Sequence, residues 1–231
     1  MASSRFATTT VVAMPTEAEV RWVRRRLLKW WILNGREFWW RQVRNPYTVA
    51  LVEILLKQTR ASTIDRALAT FVGQYQTPED LSRIPEAQLS AELRIFGLHR
   101  QRAAHLKQLA NAVIEDPRAL QGTTADLWKL PGLGAYAAAA VSVFAHGRRK
   151  TVVDVNVVRI FSRVWTLSVP RGELRKSQQI AAVAEMYRAT SRPRKTNWAL
   201  LDLGTLVCTT ASPSCLKCPL RVRCAYARML S

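Results

Sequence analysis

Apolar residues recur along the chain at three- and four-residue intervals, the spacing that gathers them on one face of an α-helix. Over Glu17–Asn34 that face is Val20, Val23, Leu27, Trp30 and Trp31, and Asn34-Gly35 ends the segment. Asn45-Pro46 opens a second helix with proline in its first turn, and Tyr47–Lys57 carries Tyr47, Ala50, Leu51, Ile54 and Leu55 as its stripe. Further helices are expected at Ser62–Tyr75, Thr77–Ile84, Glu86–Ile95, Arg100–Glu115 and Thr124–Lys129, with Pro78, Pro85, Gly97 and Pro117 between or at their ends. The small, apolar run Ala135–Ala145 continues the series, followed by Asn156–Trp165, Lys176–Thr190 and Thr196–Leu206. Alternation of the strand type is almost absent, apart from a short β-prone run around residue 154, and no repeat or low-complexity segment interrupts the chain. The predicted fold class is all-α.

Several residues break this pattern. Leu130-Pro131-Gly132-Leu133-Gly134 places two glycines around one apolar residue, which suits a tight hairpin between two helices. The helix that follows would point its first free N–H groups into that hairpin, an arrangement receptive to phosphate. Asp154 stands alone among Val152, Val153, Val155 and Val157, where a carboxylate is partly desolvated and its pKa rises unless something compensates. An ordinary core hairpin with Asp154 as a helix N-cap explains the same residues. Glu53 sits inside an apolar helix beside Val49, Val52, Leu56 and Lys57, either paired with Lys57 four residues on or facing a substrate pocket. Gln58-Thr59-Arg60 is polar and long enough to reach outward, and Gly97-Leu98-His99-Arg100 reads as an exposed corner. His99 and His105 lack partners at metal-ligand spacing and read as surface or hydrogen-bonding residues.

Charge sharpens the picture. The 231 residues hold 35 Lys+Arg against 16 Asp+Glu, a formal net charge of +19, which favours an anionic partner. The arginines are spread over the chain rather than gathered in a polybasic tract, and eight tryptophans with 48% hydrophobic content indicate a folded protein. Nucleic acid therefore fits better than a membrane surface. The Trp- and Arg-rich stretch Arg36–Arg44 suits either a nucleic-acid contact or a strap over the core. No apolar run approaches the roughly 18–20 residues of a membrane span, and Met1–Pro15 lacks the apolar centre of a signal peptide; residues 1–16 are expected to form a flexible tail. All four cysteines, Cys208, Cys215, Cys218 and Cys224, fall near the C-terminal end in the spacing Cys-x6-Cys-x2-Cys-x5-Cys. Clustering of this kind favours a metal site over a disulfide scaffold, and four thiolates can close either a tetrahedral zinc site or a four-iron cube.

The cysteine array, LPGLG and the aspartate of VVDVNVVRIFSR together resemble the helix-hairpin-helix DNA glycosylases of the endonuclease III and MutY superfamily, over about Trp30 to Cys224. The resemblance implies a six-helix barrel domain, residues 43–150, ending in the hairpin. It implies a second, iron–sulfur cluster domain from residues 17–42 and 151–231, with double-stranded DNA across the cleft and the damaged nucleotide flipped out. On the matching positions, Asp154 is the essential aspartate that stabilises an oxocarbenium-like sugar. Leu130, Gly132 and Gly134 belong to the phosphate-binding loop, with a monovalent cation. Gln58 fills the gap left by the flipped nucleotide, Leu98 or His99 wedges the opposite strand, and the four cysteines hold a [4Fe–4S] cluster. Bifunctional relatives carry a lysine where this chain has Tyr136; tyrosine cannot form a Schiff base, so the implied enzyme leaves an abasic site without cutting the strand.

Tyr136 with Glu53 and Asp154 is similar to the Mig-type enzymes that remove thymine or uracil opposite guanine. MutY-type adenine glycosylases are the rival, since EILLKQT from Glu53 matches their motif too. Those generally carry serine at position 136 and a further C-terminal domain, whereas this sequence runs seven residues past Cys224. A non-catalytic DNA-binding module is the remaining alternative. The family also usually places lysines or arginines between the first two cysteines, where this chain has Thr-Thr-Ala-Ser-Pro-Ser. A monomer in the cytoplasm of a prokaryote, associated with the nucleoid and not with membrane, is expected.

Overall fold

The computed structural model describes residues 14–57, 61–169, 177–188 and 191–230. Among them the regular secondary structure is wholly helical, with no strand. The α-helices are α1 (Glu17–Asn34), α2 (Pro46–Leu56), α3 (Ala61–Gln74), α4 (Pro78–Arg83), α5 (Glu86–Glu92), α6 (His99–Glu115), α7 (Thr124–Lys129), α8 (Ala135–Phe144), α9 (Val155–Trp165), α10 (Gln178–Tyr187), α11 (Pro193–Leu206) and α12 (Ala225–Met229). The β-prone residues before Asp154 form no strand; the chain is extended there and enters α9 directly.

Local chemistry accounts for most of the boundaries. Thr16, Thr77 and Thr123 each start a helix with a reciprocal capping box to Glu19, Asp80 and Asp126. Asn45 caps α2 by accepting from Thr48 N–H at 3.1 Å, with Pro46 behind it. The Trp- and Arg-rich stretch is not a plain connection: Trp39–Gln42 forms a 3₁₀ turn in which Phe38 and Trp40 stack and Arg36 and Arg41 lie over the Phe38 ring. Pro193 begins α11 three residues earlier than the apolar pattern suggests, since proline is well placed in a first turn.

The chain forms two compact units. One comprises Arg36–Val152 and Arg188–Asn197; the other comprises Met1–Gly35, Val153–Tyr187 and Trp198–Ser231. The first, the hairpin unit, is built around α2 and α8, which pack together. Val49–Leu55 of α2 and Ala137–Phe144 of α8 are buried throughout, which is why neither segment shows a polar face. Alanines at 137–140 let the two backbones approach closely. α4 and α5 pack on α6, and α7 packs on α8.

The second, the cysteine unit, has one core from α1 (Val20, Val23, Leu27), α9 (Val157, Ile160, Phe161, Val164), α10 (Ile180, Val183, Tyr187) and α11 (Ala199, Leu200, Leu203). All four cysteines pack against that core. Asp202 is fully buried and accepts a hydrogen bond from Trp31 Nε1 at 2.8 Å, so the indole supplies the partner that a buried carboxylate requires.

Candidate functional site

In the hairpin unit, α7 ends at Leu130 and the chain turns through Gly132, whose φ is +75°. A β-carbon there would lie 3.0 Å from the His105 β-carbon and 3.1 Å from Ile54 Cδ1. The turn is thus wedged between α6 and α2, and only glycine meets both demands. Leu133 is buried and anchors the turn, while Gly134 begins α8 without any side-chain cap. The first turn carries no acidic side chain either, so the dipole of this helix start favours negative charge. Gly132→Ala is expected to destabilise the protein by about 1–3 kcal/mol through left-handed strain and crowding. Thermal unfolding with and without duplex DNA would check it, and an unchanged Tm would contradict the tight-turn account.

Glu53 lies in the middle of α2 and is 8% exposed. Tyr136 is half-buried in the first turn of α8, the helix that packs on α2, so both candidates occupy adjoining helices of one unit. The C-terminal turn of α2 is fixed by a residue that the sequence pattern did not single out. Arg102 of α6, 4% exposed, donates to the carbonyl of Leu55 at 2.9 Å and also to that of Lys57. The last carbonyls of a helix fall outside its regular hydrogen-bond pattern, and here the buried guanidinium serves two of them. Gln58 lies outside the described residues. Leu98 adopts the left-handed conformation (φ 50°, ψ 30°), heads α6 and is exposed, as is Ile95. His99 is tethered, its Nδ1 lying 2.9 Å from Ser90 Oγ. Of the two candidate wedge residues, Leu98 has the free side chain, presented on a strained backbone. His105, read from sequence as a surface or hydrogen-bonding residue, is half-buried and backs the hairpin turn.

Asp154 lies in the cysteine unit and is the N-cap of α9: its Oδ1 accepts from Val157 N–H at 2.8 Å. The capping reading is therefore correct, but it does not exhaust the residue. Oδ2 accepts from Asn156 Nδ2 at 2.6 Å, Asn156 Oδ1 accepts from Arg159 at 2.6 Å, and Arg159 also donates to the Gly204 and Cys208 carbonyls, each at 2.8 Å. The half-buried carboxylate accepts two hydrogen bonds at a helix start, and a polar chain runs from it to the first cysteine. The chain depends on a close approach of α11, since a β-carbon on Gly204 would meet Asn156 Cβ at 2.5 Å. Asn156 and Arg159 were not singled out in the sequence; their three-residue spacing on α9 is the only signal they leave there.

The four cysteines form no disulfide. Burial pushes the Cys218 thiol up to about 11 and raises Cys224, with each of these thiols also sensing neighbouring cysteines of the array. Among the described residues no three ligating side chains converge on a single-ion site. Four free thiols packed against one core are a donor set of the kind that binds soft metals or an iron–sulfur cube.

Residues 51–177 match the HhH-GPD superfamily base excision DNA repair protein family. The chain is 32% identical to a thymine/uracil-DNA glycosylase of Methanothermobacter thermautotrophicus, over 87% of this chain and 90% of that one. It is 30% identical to an adenine DNA glycosylase of Homo sapiens over 90% of this chain, which spans 40% of the human protein. The fold superposes on the structure of a thermostable thymine-DNA glycosylase with a TM-score of 0.81 and 28% identity, covering 92% of this chain and 98% of the other.

Proposed function

We propose that this chain, which belongs to the HhH-GPD superfamily of base excision DNA repair proteins, is a monofunctional DNA glycosylase. It removes thymine or uracil mispaired with guanine, hydrolyses the N-glycosidic bond and leaves an abasic site. The observation that carries this reading is the match to a thymine/uracil-DNA glycosylase along nearly the full length of both chains. Tyr136 agrees with it, because a phenol at that place offers no amine for strand cleavage.

In this reading the glycosidic electron pair leaves with the base, positive charge develops on the sugar, and water adds at the anomeric carbon. Asp154 supplies the negative charge that stabilises the sugar and helps orient the water. Its orientation is set by Val157 N–H and Asn156, so little reorganisation is needed as charge develops. Glu53, buried in α2, is the second acid, able to hold a proton at the base. The uncapped start of α8 and the Leu130–Gly134 turn grip a backbone phosphate, with a monovalent cation as a further partner of the turn. Leu98 enters the stack and Gln58 occupies the space vacated by the flipped nucleotide. The protein acts as a monomer on mismatched double-stranded DNA in the prokaryotic cytoplasm; no helix among the described residues is long and apolar enough to cross a membrane.

Cys208, Cys215, Cys218 and Cys224 would hold a [4Fe–4S] cluster, which supplies a rigid crosslink for the C-terminal region. Anaerobically purified protein is expected to be brown with about four irons per chain, and a colourless zinc-loaded preparation would overturn this assignment. The reaction itself is tested with G:T, G:U, A:G and A:oxoguanine duplexes treated with alkali. Release confined to adenine would instead support the adenine glycosylase reading, which the similarity to the human enzyme and the acid at Glu53 favour. Binding of every duplex without base release would support a non-catalytic module.

A further inference from the structure

Arg163, on α9 one turn beyond Arg159, takes no part in the proposed reaction, yet both its side chain and its backbone reach the cysteine array. Its Nη1 lies 3.5 Å from Cys208 Sγ and 2.6 Å from the Thr209 carbonyl, and its Nη2 donates to the Thr210 carbonyl at 2.8 Å. The guanidinium also lies 4.6 Å from the centre of the Tyr226 ring, which packs on the same core. In the other direction, the Arg163 backbone carbonyl accepts from Cys224 Sγ at 3.4 Å. One residue therefore reaches the first and the last cysteine, and holds the start of the loop between Cys208 and Cys215.

We propose that Arg163 is a positioning residue of the metal site: it fixes Cys208 and its loop and supplies a positive charge beside the array of four thiolates. This rests on the reading of the cysteines as metal ligands. The loop from Thr209 to Ser214 contains no charged residue, so its conformation depends on groups outside it. Guanidinium suits the task, since its rigid fork can serve two carbonyls and a sulfur at once, which an ammonium on a flexible stem cannot. A cube held by four thiolates is a net anion, and the half-buried guanidinium over the Tyr226 ring places an opposite charge beside it. Hydrogen bonds to ligand sulfur also stabilise the reduced, more negative state of a cluster.

The test compares wild type with Arg163→Gln, Arg163→Lys and Arg221→Gln. The last removes an equal charge from an exposed turn of the same array. Anaerobic protein is incubated with bathophenanthroline, and loss of iron and acid-labile sulfide is followed by visible absorption, with far-UV circular dichroism as a folding control. Arg163→Gln is expected to lose metal about 10- to 100-fold faster than wild type. Arg163→Lys, which keeps the charge and loses the fork, should fall between them, and Arg221→Gln should match wild type. Equal rates for Arg163→Gln and wild type would overturn the proposal, as would equal acceleration by Arg163→Gln and Arg221→Gln. If Arg163→Gln does not fold, a lysine variant indistinguishable from wild type is the refuting result. A zinc-loaded wild type would refute the cluster assignment alone, and zinc release to a chromogenic chelator in the same four proteins would then read the role of Arg163.

Discussion

Asp154→Asn is expected to slow base release by about 10²–10³-fold while leaving duplex binding and the fold in place. Asparagine is as good an N-cap as aspartate, so α9 should still begin at Val155. What disappears is the negative charge, together with one acceptor oxygen: the new amide presents an NH₂ where Oδ2 now accepts from Asn156. That mismatch costs on the order of 1 kcal/mol of stability, far less than the expected barrier change of about 3–4 kcal/mol. Asp154→Ala should lose a comparable amount of activity and, in addition, about 1 kcal/mol of helix capping. Single-turnover cleavage of a G:T duplex followed by alkali, set beside a mobility-shift titration and a melting curve, separates these contributions. Base release within about threefold of wild type in Asp154→Asn would remove Asp154 from the mechanism.

The second large effect is a gain. Tyr136→Lys is expected to produce strand nicks without alkali, because a lysine nitrogen in the first turn of α8 can attack the anomeric carbon. The bond to the base breaks as the C–N bond forms, ring opening gives a protonated Schiff base, and β-elimination then expels the 3′-phosphate. The helix start helps by disfavouring the protonated amine. Position 136 is half-buried at the hairpin, so the new side chain stays beside the proposed phosphate-binding turn. Borohydride trapping of a covalent protein–DNA complex is the specific readout. A variant that binds duplex and melts like wild type, yet neither nicks nor traps, would show that position 136 does not decide the reaction type.

The two variants rest on residues with very different visibility. Asp154 stood out as a lone acid in a valine run, and its local role as an N-cap follows from side-chain chemistry within three residues. Tyr136 carried no signal of its own in an apolar helix; it became informative through the family resemblance. Cys208, Cys215, Cys218 and Cys224 were legible by spacing, although spacing did not choose between zinc and iron. Arg102, Asn156, Arg159 and Arg163 were passed over, because in a chain of 35 basic residues another arginine on a helix is unremarkable. Their partners lie 45 to 49 residues away in three cases: Arg102 with Leu55 and Lys57, Arg159 with Gly204 and Cys208, and Arg163 with Cys208 to Thr210.

Sequence alone determined what depends on neighbours along the chain. Helical periodicity, threonine and asparagine caps, the proline at the start of α2 and the two glycines of the hairpin act within a few residues, and they settle an all-α chain with a tight glycine turn between two helices. Net charge, being a sum, was equally available. Only the tertiary structure decided which buried polar groups satisfy one another. Gly204 had to bring α11 against Asn156 before Asp154 could be linked to the cysteines, and α6 had to cross α2 before Arg102 could cap it. Those contacts arise because a buried carbonyl or carboxylate must find a partner wherever packing offers one. Sequence separation leaves no trace of that choice, so the residues that support the candidate site emerged only from the fold.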